Sequence, residues 1–558
     1  MLHTSSDSYR FASFDISPTP RQDMRQRRSC LLLALLFWFV HTAGAFTSIK
    51  HNIPTNNVRN RHRNFHFARS NLPPGSGPTA RHAVPLGLIG GALRVPSSYH
   101  LTRIVFLRAL AFVYFVAFLV AFRQNKALIG DNGITPARYE LEETRDRATQ
   151  RQARRATWLN ETFDENGQTK STSSRKSETN GQFVAARSLL DKFVFIIRKN
   201  PIYQRAREVL WDRADRSGRP MLTVLWLAKD FNRINPWLDG VAITGMVLSA
   251  FVGVLGAANV PILLTLWTCQ RSLMAVGGCW YGFGWEPQLA ELGFHALFLV
   301  PMLSLNPIST TPVPLIVVWT IRWHLFRIMM GAGLIKFRSG DKKWKDLTTM
   351  QYFYETQPVP SLLTKTMHFM PAAWHKFEVL TNHFVEVVVP FFLILPFQPR
   401  QMLRFAGLLQ MQFQTILICT GNLSFLNWLT MVPAIFCLDD AFLRRFFSPM
   451  RALEAYIAAS VFKPSLFRRL ITFGFGALVM WLSVPVVKNL MSKRQKMNAS
   501  FDPLLLINSY GAFGVVSEQR EEWIIESAID IDGEWREYQF KVSSALQLDN
   551  LCFEDNRK

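Results

Sequence analysis

His383 and Glu386 stand three residues apart in an apolar stretch, so on a helix they share one face. A histidine and a carboxylate at that spacing could bind a metal, but two ligands without a third make a weak site. Neighbouring apolar stretches hold more ionisable residues. Glu286 and Glu291 follow Trp280-Tyr-Gly-Phe-Gly-Trp285, Arg322 and Arg327 lie five apart in one segment, and Lys336 follows Gly331-Ala-Gly333. Charges are expensive in lipid, so they pair, line a cavity or serve function. One reading is intramembrane salt bridging that fixes helix register, for example Glu386 with Arg327. The other is a cavity for substrate, partner or chemistry. The small residues at 331–333 permit close helix contact. A further group, Trp344, Asp346, Tyr354, Glu355 and Pro358, has the aromatic and proline content of an interfacial anchor or partner contact. A packed turn would look the same.

Membrane helices must position these residues. Of the 558 residues, 49% are hydrophobic and only 18% charged, whereas a soluble chain carries roughly 25% charge. Apolar segments run at 104–122 and near 240–258, 260–277, 289–305, 313–337, 379–397, 402–420, 423–438 and 468–487. Several are short or interrupted by Pro261, Pro301, Pro390 or Pro433, and are expected to be re-entrant or buried. The expected fold class is an all-α polytopic membrane protein of about six to nine spans. Its domain, 104–497, carries polar loops at 131–238 and 338–376. The middle of the first loop, 140–190, reads as solvated and partly disordered, with a helical stretch near 222–231. Residues 498–558 read as a small, truncated, β-rich soluble domain.

The net charge of +23 raises the question of nucleic acid, and its distribution argues against that partner. Residues 1–130 hold 16 Lys/Arg against 3 Asp/Glu, while 498–558 hold 5 against 12. Residues 1–45 have the order of a secretory signal: basic at Arg25–Arg28, apolar to Val40, small at Thr42–Ala45. Residues 46–103 form a basic, acid-free arm expected to be disordered. The Ala45-Phe46 junction resembles the bipartite address of plastids bounded by extra membranes. The alternative is a signal or signal anchor for the endoplasmic reticulum.

Asn160-Glu-Thr and Asn498-Ala-Ser are glycosylation sequons. If both face one compartment, an even number of spans lies between them, and eight candidates satisfy this. None of the six cysteines forms a C-x-x-C pair, so a zinc or thioredoxin-like site is not expected. Nucleotide-binding, G-x-S-x-G and H-E-x-x-H motifs are absent.

The chain resembles the lipase maturation factor family. The likeness runs in order through Val113–Val120, Leu128–Asp131, Trp280–Glu286, Glu291–Phe294, Phe326–Lys336, Trp344–Thr348, Tyr354–Pro358, His375–Glu378, Asn382–Glu386, Gly421–Met431, Asp439-Asp440 and Asn508–Gly514. The resemblance implies a polytopic membrane protein of the endoplasmic reticulum that assists folding and assembly of secreted lipases, homodimeric ones particularly. It implies no catalysis and no cofactor or metal. Its implied partners are client lipases, membrane lipid and endoplasmic reticulum folding factors. Client contact is expected in 338–386 and 502–541. The family's C-terminal domain normally continues beyond the Trp535–Lys541 block.

Two other functions stay open at this point. The helix ending in Lys336, followed by Trp344, looks distantly like the membrane region of vitamin K-dependent carboxylases, where a lysine acts as base. Asp341 and Asp346 would instead engage Lys336 as ion-pair partners. A transporter using His383, Glu386 and Arg327 is the third reading, against which no inverted repeat is evident.

Overall fold

The computed structural model describes residues 98–162, 200–208, 212–216, 218–357, 360–361, 363–520, 526–528 and 534–537. The expected leader at 1–45, nearly all of the arm at 46–103, and Pro358 lie outside the described residues. The described residues are mostly helical. Helix α1 is His100–Ile129, α2 Ala137–Thr162, α3 Asn235–Leu255, α4 Val260–Val276, α5 Trp285–Leu297 and α6 Leu315–Arg338. Helix α7, Ala372–His383, continues through a π-helical turn, Phe384–Val388, as far as Ile394. Then come α8, Arg400–Thr420; α9, Leu426–Ala434; α10, Asp440–Leu443; α11, Pro449–Val461; and α12, Leu466–Met491.

Six of these are long and apolar enough to cross a membrane: α1, α3, α6, α7 with its continuation, α8 and α12. The segments Leu426–Cys437 and Asp440–Phe446 meet at 99° and raise the number to seven if counted as one broken span. Helices α4 and α5 have 17 and 13 residues. That is at or below the short limit for crossing ~30 Å of hydrocarbon. Both expected spans there are therefore short helices. The chain is a polytopic helical membrane protein. Val247, Phe251 and Val254 on α3, and Phe467, Phe473 and Trp481 on α12, point outward from the body. Exposed apolar helix faces of that kind suit lipid.

Side-chain contacts assign the helix ends to two faces. At the His100 end, Arg103 donates to the Leu299 and Thr311 carbonyls (3.3 and 3.1 Å), and Arg468 to those of Val300 and Phe298 (3.1 and 3.2 Å). At the Ile129 end, Lys126 pairs with Asp239 (3.1 Å) and Trp280 donates to Thr135 (2.8 Å). The start of α2 and the segment 498–520 both belong to the Ile129 end. Asn160 on α2 and Asn498 are both exposed. The chain leaves this face after α2 and is back at it by residue 498, where the Asn498 side chain lies against Gly284.

The start of the expected disordered loop is instead the 26-residue α2. Its polar composition hid a narrow buried stripe, Ala137, Leu141, Thr144 and Ala148, at helical spacing. Arg155 pairs with Asp212 at 3.1 Å and Arg216 with Glu143 at 2.6 Å, fastening it to the following segment. Near 222–231 only Val224–Leu227 is helical, as a single 3-10 turn.

The strands described are two antiparallel pairs: β1, Ala499–Ser500, with β2, Asn508–Ser509; and β3, Glu526–Ser527, with β4, Arg536–Glu537. Residues 498–520 pack onto the helical body rather than standing apart from it. Asn508, Ser509 and Tyr510 are buried.

Candidate functional site: two buried charge clusters under a cap

Glu291 is the hub of the first cluster. It lies on α5, fully enclosed. Arg327 and His324 reach it from α6, as residues three apart on one helical face. His324 Nδ1 lies 2.9 Å from Oε1, and the Arg327 guanidinium forms an ion pair with the same carboxylate. On Oε2 it accepts the Asn508 amide N–H (2.9 Å), the Asn508 side chain (3.0 Å) and the Tyr510 hydroxyl (2.7 Å). Arg327 also donates to the Asn508 carbonyl (2.6 Å). A carboxylate has about four lone-pair sites, and here they are filled from two helices and the C-terminal segment. The expected Arg327–Glu386 pair does not form.

Glu386 belongs to the second cluster. It sits in the π-helical turn of α7 and binds Lys336 Nζ at 2.5 Å, with Asn382 adding a bond at 3.1 Å. The Lys336 ammonium lies 5.1 Å from the centre of the Trp344 ring, in cation–π reach. His383 accepts or donates nothing to Glu386; its Nε2 is 3.1 Å from the Trp344 carbonyl oxygen, and its ring packs 4.5 Å from Phe337. The expected Asp341 and Asp346 are not the partners of Lys336. Asp341 accepts from the Val516 amide (3.1 Å) and faces Lys343, while Asp346 is exposed. The separation follows from geometry: a helix running out of the membrane carries Asp341 past the lysine, whereas α7 packs beside it.

The small residues of α6 let both clusters close. A Cβ at Gly331 would strike the Tyr510 carbonyl, and one at Gly333 would lie 2.6 Å from Val387. Gly331→Ala is therefore expected to push the C-terminal segment off Glu291. Faster proteolysis between 498 and 520, with the helical body intact, is the outcome to measure.

The remaining polar residues have separate tasks. Glu286, at the start of α5, accepts from Gln270 of α4. Arg322 donates to the Phe436 carbonyl (3.1 and 2.8 Å) and to Tyr99 (2.8 Å), far from Arg327's partners. Thus neither a His383–Glu386–Arg327 group nor a metal cluster is assembled among the described residues.

The 338–376 loop and residues 511–520 form a cap over the Ile129 end. Phe353 packs on Phe513 with ring centres 5.5 Å apart, Lys343 pairs with Glu518 at 3.2 Å, and Arg520 donates to the Gln357 carbonyl at 2.8 Å. Tyr354 is buried and donates to Glu378 (2.8 Å), which His375 also contacts (3.1 Å). Burial first, and then the Glu378 carboxylate, push the Tyr354 hydroxyl well above its ordinary range. Tyr354 thus stays a neutral donor. Glu355 is half-buried, 3.6 Å from His368. Tyr354→Phe should cost about 1 kcal/mol, because the buried tyrosine gives up its hydrogen bond to the partly exposed Glu378; a thermal melt of the solubilised protein measures it.

Four residues carry this architecture that the search for isolated charges passes over: His324, Asn508, Tyr510 and Asp440. His324 is three residues before Arg327, which was the available signal. Asp440 accepts from the Ser98 hydroxyl (2.7 Å) and from the amides of His100 (2.8 Å), Leu101 (2.9 Å) and Thr102 (3.1 Å). It caps α1, whose own first residue supplies no capping side chain. A carboxylate on free amides of a helix start also favours the helix dipole.

A bundle of spans held by two buried ion pairs, with the cap packed over one end, defines a polytopic helical membrane protein. The chain belongs to the lipase maturation factor family: residues 101–175 and 200–445 match the model of the lipase maturation factor transmembrane domain. It is 39% identical over 506 residues to lipase maturation factor 1 of Bos taurus, covering 88% of this chain and 77% of that protein. With lipase maturation factor 1 of Mus musculus the identity is 41% over 464 residues, 80% of this chain and 69% of the relative. Lipase maturation factor 2 of Xenopus tropicalis is 33% identical over 225 residues, 39% of this chain and 31% of its own length. No solved structure matches.

Proposed function

We propose that this protein is a non-catalytic maturation factor of the endoplasmic reticulum membrane that helps secreted lipases, homodimeric ones in particular, to fold and assemble. Family membership supports the lipase part of this reading. The observation that supports the non-catalytic part is the ion pairing of the buried charges among the site candidates. Glu291, Arg327, Lys336 and Glu386 are tied to one another or to the cap. None is left over as a base, so the carboxylase-like reading gains no support at Lys336.

The orientation is taken from the sequons. Asn160 and Asn498 are both exposed at the Ile129 end, and N-glycosylation marks a lumenal surface. The Ile129 end then faces the lumen, with both sequons and the cap, where a client would meet it. The cap surface around Trp374, Phe369 and Phe377 is aromatic and exposed, as suits contact with client, lipid or a folding factor.

Removing the protein should leave client lipases synthesised but inactive and retained. Unchanged secreted lipase activity would overturn the proposal for those clients. Lys336→Arg separates scaffold from base: an ion pair with Glu386 largely survives the change, and a base does not. Near-normal lipase maturation by that variant is expected.

A further inference from the structure

A cavity of about 460 Å³ opens at the His100 end, between α11 and the loop that follows α5. Its wall is divided. Asn306, Arg451 and Glu454 supply polar groups, and Ile308, Ile457 and Phe462 supply apolar surface. The apolar part continues outward through Met302 and Leu303 on the loop and Met450 and Val461 on α11, all exposed. Helix α11 thus has the two-sided character of an interfacial helix, with an apolar face and a basic end.

Arg451 is exposed, and no hydrogen bond or ion pair holds its guanidinium among the described residues. Glu454, one turn away, is not within ion-pair distance of it. Arg108 of α1 lies close enough to Arg451 for mutual repulsion. Its Nε is buried with no partner, while Nη2 is held by the Val254 carbonyl (3.2 Å). Lys463 and Arg469 add exposed positive charge nearby in sequence. Arg108 does not line the cavity, so the unpaired Arg451 is the cation that an anion in the cavity would meet, with the Arg108 charge adding to the positive field there. The adjacent apolar rim is of no use to a small free anion.

We propose that this cavity binds one anionic glycerophospholipid, its phosphate against Arg451 and Asn306 and its acyl chains along the rim from Phe462 to Leu303. The site is distinct from the buried clusters and from the cap, and does not depend on what the cap binds. It would fix the depth of α11 and, through the burial of Ala455 and Ala458 in the same hydrophobic cluster as Leu101 and Ile104, the start of α1.

The test uses the full chain in nanodiscs of phosphatidylcholine with a minor share of phosphatidylglycerol, extracted gently and assayed for retained lipid by mass spectrometry. A basic side chain at an anionic surface is worth about fivefold in binding. Phosphatidylglycerol should be retained about fivefold above its share of the bilayer. Arg451→Glu should bring retention down to the bulk ratio, and Glu454→Gln should preserve or raise it. Arg451 is exposed, so its replacement leaves packing intact, and the Glu454→Gln arm reads the site without removing a cation. Inorganic phosphate at millimolar concentration should not displace the lipid. Retention at the bulk ratio by the unaltered chain, equal retention by Arg451→Glu, or displacement by inorganic phosphate would each overturn the proposal.

Discussion

Replacing Arg327 with Met is expected to cost about 3–5 kcal/mol, since removing one partner strands a buried charge on Glu291. Native proteins have only about 5–15 kcal/mol in hand, so the variant should melt early and elute as aggregate after solubilisation. Glu291 would still accept from His324, Asn508 and Tyr510, which softens the loss without removing it. Pairing Arg327→Met with Glu291→Gln tests the mechanism. The neutral amide no longer needs a cation and keeps one acceptor for the Asn508 amide. The double variant should be more stable than the sum of the singles by at least about 2 kcal/mol, the range of directly coupled residues. Additive losses in a thermal unfolding series would mean that packing, not the ion pair, holds α5 to α6.

The second large effect lies at the opposite face. Asp440→Ala removes the acceptor for three backbone amides and two hydroxyls at the start of α1. Loss of an ordinary helix cap costs about 0.5–2 kcal/mol. Bonds to a charged group are worth about 1.5–3 kcal/mol each, so about 2–4 kcal/mol is expected here. Asp440→Asn keeps one oxygen and should lose about half of that. The damage should be local: α1 frays at His100 and the 99° bend before α10 loosens, while the cap at the Ile129 end stays protected. Hydrogen exchange on the solubilised protein separates the two ends. Uniform loss of protection, or none at residues 100–103, would contradict the capping role.

These two sites show what the sequence discloses and what it withholds. The spans were legible because lipid imposes one requirement on about 20 consecutive residues, and Ile104–Phe122 meets it without reference to the rest of the fold. The existence of intramembrane pairing was legible for the same reason: Arg327, Lys336 and Glu386 are too costly to leave alone in apolar surroundings. The partners were not. Glu291 and Arg327 are 36 residues apart, Lys336 and Glu386 are 50 apart, and which carboxylate meets which cation depends on how α5 and α7 pack around α6. Helix α2 was hidden by its composition, because a stripe of four buried residues, Ala137, Leu141, Thr144 and Ala148, holds a helix that is otherwise largely polar. Asp440 was visible only inside a block of family resemblance. Its task as a cap requires α10 to lie beside the start of α1, and no local pattern states that.

The buried clusters gain their functional meaning from the cap. Asn508 and Tyr510 are at once part of the Glu291 cluster and the anchor of the segment that covers the 338–376 loop. Under the proposed function, the membrane body is a clamp for the capped surface, and lipase maturation depends on that surface being held. The direct test is rescue of secreted activity of a homodimeric lipase in cells that lack maturation factor. The unaltered chain should restore it. A chain carrying Asn508→Ala with Tyr510→Phe, present in the membrane at equal amount, should restore little, because the cap is no longer held. Full restoration by that variant, or none by the unaltered chain, would contradict the account.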